Sequence, residues 1–226
     1  MEKTKKTICH IYLFRHGQTY YNKNHIFTGW KDSKLTHRGI KDAKKIAVKL
    51  KGKKIDVAYH SHLSRSKDTL KEVLRYHREC KKKICDDRMI ERSYGKLQGM
   101  THKEFVKREG TEDYKTLLHW HKIDNLHGKE REEFIEKVGE AELQIIRRSY
   151  NHPPPGGESV KTVEKRVLSF VSDLIKKVKK EKINVAISAH GNSMRPFRRY
   201  FEKFSIEEMM ELENPFDDYF EYKIEC

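Results

Sequence analysis

The chain has 226 residues, enough for one domain with a sizeable core, and its 36% hydrophobic content is low beside 37% charged residues. Lysine and arginine outnumber aspartate and glutamate by 49 to 34, a formal charge of +15. That excess suits nucleic acid, an acidic membrane or a small polyanion, and equally a lysine-rich solvated surface. No stretch approaches the ~20 apolar residues of a membrane span. No secretory leader is apparent after Met1-Glu2-Lys3-Thr4-Lys5-Lys6, and Cys9, Cys80, Cys85 and Cys226 match no zinc spacing. A cytoplasmic protein with free thiols is expected.

In chain order, Ile8 to Phe14 is an apolar run that ends on Arg15-His16-Gly17, as a buried parallel strand opening into a site loop would. Thr36 can cap a helix to about Leu50, with Ile40, Ala43, Ile46, Ala47 and Leu50 on one face. A second strand, Ile55 to Tyr59, precedes Ser61 and a helix from Ser64 through Leu74. The lysines at 81–83 and 176–180 read as solvated helix or loop faces. Residues 105–146 are rich in His, Lys and Glu and contain one amphipathic helix through Phe134, Val138, Ala141, Ile145 and Ile146, a helical excursion ended by Pro153-Pro154-Pro155. Ser159 to about Val178 is the clearest helix, Ile183 to Ala189 a third strand, and the alternating run Tyr219 to Ile224 an edge strand. Strands alternating with helices predict an α/β layered fold with a mostly parallel sheet.

Arg15-His16, Ser61 to Arg65 and His190-Gly191-Asn192 all fall just past strand ends, where such sheets gather ligands. A neutral imidazole attacks phosphorus, guanidinium groups neutralise its oxygens, and backbone N–H groups after Gly17 can cradle an anion. Two arginines and two histidines, Arg15, Arg65, His16 and His190, thus suit a phosphate dianion. Glu91 is a candidate proton donor and acceptor. His119, His121 and His127 have no acidic or thiol partner at ligand spacing, so no metal is assigned.

These residues closely resemble the histidine phosphatase superfamily, through Arg15-His16-Gly17-Gln18-Thr19, Asn22, Leu35-Thr36, Gly39, Ser61, Ser64-Arg65 and His190-Gly191-Asn192. More specific strings resemble its 2,3-bisphosphoglycerate-dependent phosphoglycerate mutases: Phe27 to Trp30, Glu91 to Gly99, Arg147 to Tyr150, the triple proline and Ala189 to Arg195. The resemblance implies one phosphoglycerate mutase-like domain over 1–226, a three-layer α/β/α sandwich, with a helical insertion at about 105–146. It implies interconversion of 3- and 2-phosphoglycerate in glycolysis and gluconeogenesis, primed by 2,3-bisphosphoglycerate and needing no metal. His16 would carry the phosphoryl group, with Arg15, Arg65 and His190 around it and Glu91 moving the proton. Asn22, Thr28, Gly29, Arg92, Tyr94, His102, Arg147, Arg148, Gly191 and Asn192 would hold the small anionic substrate.

Two departures stand out. His102, followed by Lys103, occupies the place of a lysine usual in the family, and Glu213 to Asp218 replaces a Thr-Gly type turn. The rivals are a phosphatase that passes the same phosphoryl group to water, and a basic nucleic-acid-binding module. The lysine clusters lack the interleaved aromatics that a nucleic-acid platform needs, so neither nucleic acid nor membrane is expected as a partner. The oligomeric state stays open, a homo-oligomer included.

Overall fold

The computed structural model describes residues 7–226; the charged hexapeptide 1–6, read above for the absence of a leader, lies outside the described residues. In chain order the elements are β1 (Ile8–Arg15), α1 (Tyr20–Lys23), α2 (His37–Leu50), β2 (Val57–His60), α3 (Ser64–Val73) and β3 (Lys82–Cys85). There follow α4 (His102–His119), α5 (Gly128–Arg148), α6 (Val160–Glu181), β4 (Val185–Ala189), α7 (Gly191–Glu202), α8 (Ile206–Glu211) and β5 (Tyr219–Glu225). The five strands are ordered β3-β2-β4-β1-β5, parallel except for β5, which runs antiparallel along β1 at the edge.

The pleat divides the core into two layers. Ile11 and Leu13 of β1, Val57 and Tyr59 of β2 and Val185 and Ile187 of β4 meet Val163, Val167, Phe170 and Leu174 of α6 and Phe197 of α7. On the opposite face Tyr12, Phe14, Ala58 and Ala186 meet Ile46 and Leu50 of α2 and Leu70 and Val73 of α3. Helices on both faces of a mostly parallel sheet make the three-layer α/β/α arrangement that the sequence predicts.

Local chemistry sets the helix starts. Thr36 accepts the Gly39 N–H at 3.0 Å and opens α2, and Ser159 accepts the Thr162 N–H at 3.1 Å and opens α6. Helix α3 has no side-chain cap of its own, and the carboxylate of distant Asp32 accepts the Ser64 N–H at 3.0 Å instead. The helix expected through Leu74 ends at Val73 and tightens into a 3-10 turn over Leu74–Tyr76. The lysine cluster at 81–83 is a correction: Lys82–Cys85 is an edge strand beside β2 rather than a helix or loop face. Its lysines point to solvent, which suits an edge that must not pair further.

Residues 105–146, expected to hold one helix, carry two: α4 and α5 form an antiparallel hairpin. Two glycines permit it. A Cβ on Gly110 would stand 1.9 Å from Ile135 O, and one on Gly139 would stand 2.0 Å from Val106 O. At the root of the hairpin, Phe105, Leu143 and Ile146 pack with Phe27 and Leu97. Gly139→Ala is therefore expected to lower stability by about 1–3 kcal/mol through backbone overpacking, read as a drop in Tm. An unchanged Tm would show that the two helices can separate without cost.

Candidate active site

A cavity of about 310 Å³ opens at the carboxyl ends of the parallel strands, floored by Arg15 and His16. Strand β1 delivers both residues, and the ladder continues one step further through His16 N–H to Ala189 O at 3.0 Å. The His16 ring is buried, and its Nδ1 lies 2.8 Å from the Gly17 carbonyl. A carbonyl only accepts, so Nδ1 carries the proton and Nε2 keeps its lone pair. Gly17 opens the loop that follows β1. Its N–H donates to Thr69 Oγ1 at 3.0 Å, and the Thr19 N–H donates to Asn22 Oδ1 at 3.1 Å, so those groups tie the loop together rather than face an anion. Gly17 is glycine because a Cβ there would stand 2.2 Å from Gly39 O, where α2 packs against the loop.

Arg65 enters from α3 and is only 1% exposed. Its Nη1 and Nη2 donate to the carbonyls of Lys31 (3.0 Å) and Gly29 (2.7 Å), which locks the guanidinium beside the 28–31 loop. Gly29 has φ +52°, and a Cβ would meet Gln98 Oε1 at 2.1 Å, so the tight approach of this loop requires glycine. His190, at the end of β4, is fully buried behind the cavity; its ring centroid is 5.0 Å from that of His16, and its Nε2 is 2.8 Å from Ser61 Oγ. Glu91 is buried too. Its Oε1 accepts the backbone N–H groups of Arg92 (2.8 Å) and Asn192 (3.1 Å), the latter in the first turn of α7. Ring nitrogens of His16 and His190 and a Glu91 oxygen lie within 4.8 Å of one another.

Burial lowers the basicity of Arg15, Arg65 and both histidines. The His16 and His190 rings are held well below the ordinary histidine value, first by desolvation and then by the guanidinium charges of Arg65 and Arg15. Arg65 falls to about 10 from desolvation and remains charged at neutral pH. Guanidinium donors at the site are unspent: Arg15 Nε and Arg65 Nε are buried without a partner, as is the ring nitrogen Nδ1 of His190. Such donors are costly unless something accepts from them, and converging N–H groups with two fixed positive charges call for an anion. The same two charges oppose a cation at the His16, Glu91 and His190 cluster.

Above pH 6.5 both rings are neutral whether the chain is folded or not. Below it the unfolded chain takes up protons that the folded rings resist, at about 1.4 kcal/mol per pH unit per ring. Stability is thus expected to fall from pH 6.5 to 5, and a bound oxyanion such as vanadate, which favours the charged rings, is expected to lessen the fall. Tm against pH for the protein and for a His16→Gln/His190→Gln variant checks this; parallel curves would sink it.

Among the residues expected to hold substrate, Asn22, Thr28, Gly29, Tyr94, His102, Arg147, Arg148, Gly191 and Asn192 line the cavity. Arg147 and Arg148 sit in the last turn of α5, where cations also complement the helix dipole. His102 lines the cavity, whereas Lys103 is exposed and does not. Burial, with Arg147 and His25 nearby, pushes the His102 ring down to about 4, so it is neutral at physiological pH. Arg92, expected among the substrate contacts, is elsewhere: fully buried, it donates through Nη2 to the Ile146 carbonyl and lies over the Tyr94 ring. It fixes the end of α5 rather than facing the cavity. His119, His121 and His127 gather no metal-binding cluster among the described residues.

Four residues that the sequence did not single out also matter. Arg195, Asn214 and Phe216 line the cavity. Arg166 holds the strand-to-site segment by donating to the carbonyls of Arg88 (2.8 Å), Ile90 (2.8 Å) and Glu91 (3.0 Å). Arg195 lies three residues after Asn192 on α7, and that spacing on one helix face was the available signal.

The sequence and fold have counterparts. The sequence matches the histidine phosphatase superfamily (branch 1) over residues 11–125 and 121–217. A 2,3-bisphosphoglycerate-dependent phosphoglycerate mutase of Parvibaculum lavamentivorans is 35% identical over 206 residues, covering 89% of this chain and 84% of that protein. The chain belongs to the 2,3-bisphosphoglycerate-dependent phosphoglycerate mutase family within that superfamily. Two solved structures share the fold. Phosphoglycerate mutase from Bacillus anthracis superposes with a TM-score of 0.62 at 21% identity, covering 89% of this chain and 83% of that one. A mycobacterial glucosyl-3-phosphoglycerate phosphatase gives 0.68 at 20% identity, covering 95% of this chain and 89% of that one. No helix among the described residues is long and apolar enough to cross a membrane.

Proposed function

We propose that this chain interconverts 3-phosphoglycerate and 2-phosphoglycerate through a phosphoryl group carried on His16, in glycolysis and gluconeogenesis. The observation that carries the proposal is the pair of unspent buried guanidinium donors, Arg15 Nε and Arg65 Nε, with the unpartnered His190 Nδ1 beside them, around an imidazole whose free nitrogen is Nε2. The primer, 2,3-bisphosphoglycerate, supplies the first phosphoryl group. Nε2 of His16 attacks phosphorus while Arg15, Arg65 and His190 take up the negative charge of its oxygens. Glu91, oriented by two backbone N–H groups, gives a proton to the departing hydroxyl oxygen and removes one from the hydroxyl that accepts phosphate next.

Arg147, Arg148, Asn22, Tyr94 and Asn192 hold the carboxylate and the second phosphate, and neutral His102 offers a hydrogen bond where the family usually has a charge. Retaining a bisphosphorylated acid long enough to turn over is what separates a mutase from a phosphatase. The α4–α5 hairpin, an elaboration of the single domain in this reading, brings the arginine pair to that task. Arg15 and Arg65 make a metal unnecessary as charge stabiliser. The cavity suits a small phosphorylated acid rather than nucleic acid, and four free cysteines fit a cytoplasmic setting.

The test supplies 3-phosphoglycerate with and without catalytic 2,3-bisphosphoglycerate, in the presence of a chelator, and follows 2-phosphoglycerate and inorganic phosphate together. Primer-dependent, chelator-insensitive isomerisation is expected. Phosphate release without isomer would replace the mutase reading with the phosphatase one. Salt-sensitive RNA binding by a protein inert in both assays would replace both.

A further inference from the structure

The end of α8 and the segment from it to β5 are tied down by guanidinium groups. Arg148 Nη1 donates to Met210 O (3.2 Å), Arg195 to Leu212 O (3.3 Å), Arg198 Nη1 to Glu213 O (2.9 Å) and Arg15 Nη1 to Asn214 O (3.2 Å). Asn214 is buried and donates from Nδ2 to Gly191 O at 3.1 Å, which fastens the segment to the first turn of α7. The residue presented by this strap is Phe216. The Arg15 guanidinium carbon stands 4.0 Å from the centroid of its ring, and the ring centroid is 6.4 Å from that of His16. An aromatic ring thus covers the cation that faces the phosphoryl site, and no step above uses it.

The phosphoryl group on His16 has two kinds of acceptor. The sugar acid is placed by its own binding energy, whereas water needs only access. In the hydrolytic step a water oxygen forms a bond to phosphorus as the Nε2–P bond breaks. The bonding pair returns to His16 Nε2, and the water proton passes to the Glu91 carboxylate, leaving orthophosphate and the free imidazole. A ring held against Arg15 by cation–π contact removes hydration from that side of the site and keeps the guanidinium aimed at phosphoryl oxygens. Resting on the mutase reading, we infer that Phe216 is the positioning residue that sets how phosphoryl transfer from His16 divides between hydroxyl and water.

The experiment compares the protein with Phe216→Ala, Phe216→Thr and Phe216→Leu. Each receives 2,3-bisphosphoglycerate labelled in its phosphates. The half-life of the label on His16 is read without acceptor, and the ratio of phosphate released to 2-phosphoglycerate formed is read with 3-phosphoglycerate. Alanine or threonine is expected to shorten the half-life and raise the ratio about tenfold, while leucine, which keeps apolar bulk, stays close to the parent. Tm is followed alongside, since a merely structural role would lower Tm without changing the ratio. Unchanged half-life and ratio in folded alanine and threonine variants would overturn the inference. A parent protein that makes no 2-phosphoglycerate would instead overturn the mutase reading on which it rests.

Discussion

His16→Asn is expected to abolish the phosphoenzyme and to lower isomerase activity by roughly 10⁴-fold or more, as removal of a covalent nucleophile does. Asparagine can keep a polar contact near Gly17 but offers no lone-pair nitrogen toward the cavity. The neighbouring Arg15 and Arg65 stay where the carbonyls of Asn214, Lys31 and Gly29 hold them. The substrate site therefore remains, and binding of phosphoglycerate should survive while turnover does not. The check is label from 2,3-bisphosphoglycerate that is stable to base and labile to acid on the parent protein and absent from the variant. An equally labelled variant would move the nucleophile to another residue, and His190 would be the first candidate.

The second large effect belongs to Glu91→Gln. Glutamine keeps an oxygen for the Arg92 and Asn192 N–H groups that Glu91 now accepts, so the loop should hold its shape. What it loses is the ability to carry a proton. Turnover should fall by about 10²–10⁴, the span for a lost general acid–base, with KM changed far less. Both phosphorylation of His16 and transfer to the second hydroxyl should slow together, because the same carboxyl serves each direction. A variant with near-parental turnover would transfer the proton role to a water or to another side chain.

The parts of this design legible in the sequence were those in which the chemistry follows an apolar run. Arg15-His16, Arg65 and His190 stand at or just beyond β1, β2 and β4, whose buried faces announce themselves by composition. Helix α4 was not legible because most of its face is charged and its few buried residues are Phe105, Gly110 and Tyr114. Strand β3 was hidden by its lysines, since an edge strand has one solvated side and no long apolar signature. Arg92 was misplaced for the opposite reason. Its place in the Glu91 to Gly99 string implies a ligand contact, yet the backbone turns its guanidinium inward to the end of α5. Phe216 lies in a loop without periodicity, and only the path of the chain brings it to Arg15.

The strand order carries a consequence for how the protein is made. β1 pairs on one side with β4 and on the other with β5, both drawn from residues 185–225. On the ribosome the first strand therefore waits for nearly the whole chain before either of its neighbours exists, and pairing at such separation is slow. Until then His16 and His190 are strangers. A nascent or prematurely ended chain cannot assemble the phosphoryl site, so the capacity to take phosphate from a metabolite arises only with the last strands in place. Refolding should accordingly show phosphoenzyme formation appearing with the final kinetic phase, after most helical signal has returned.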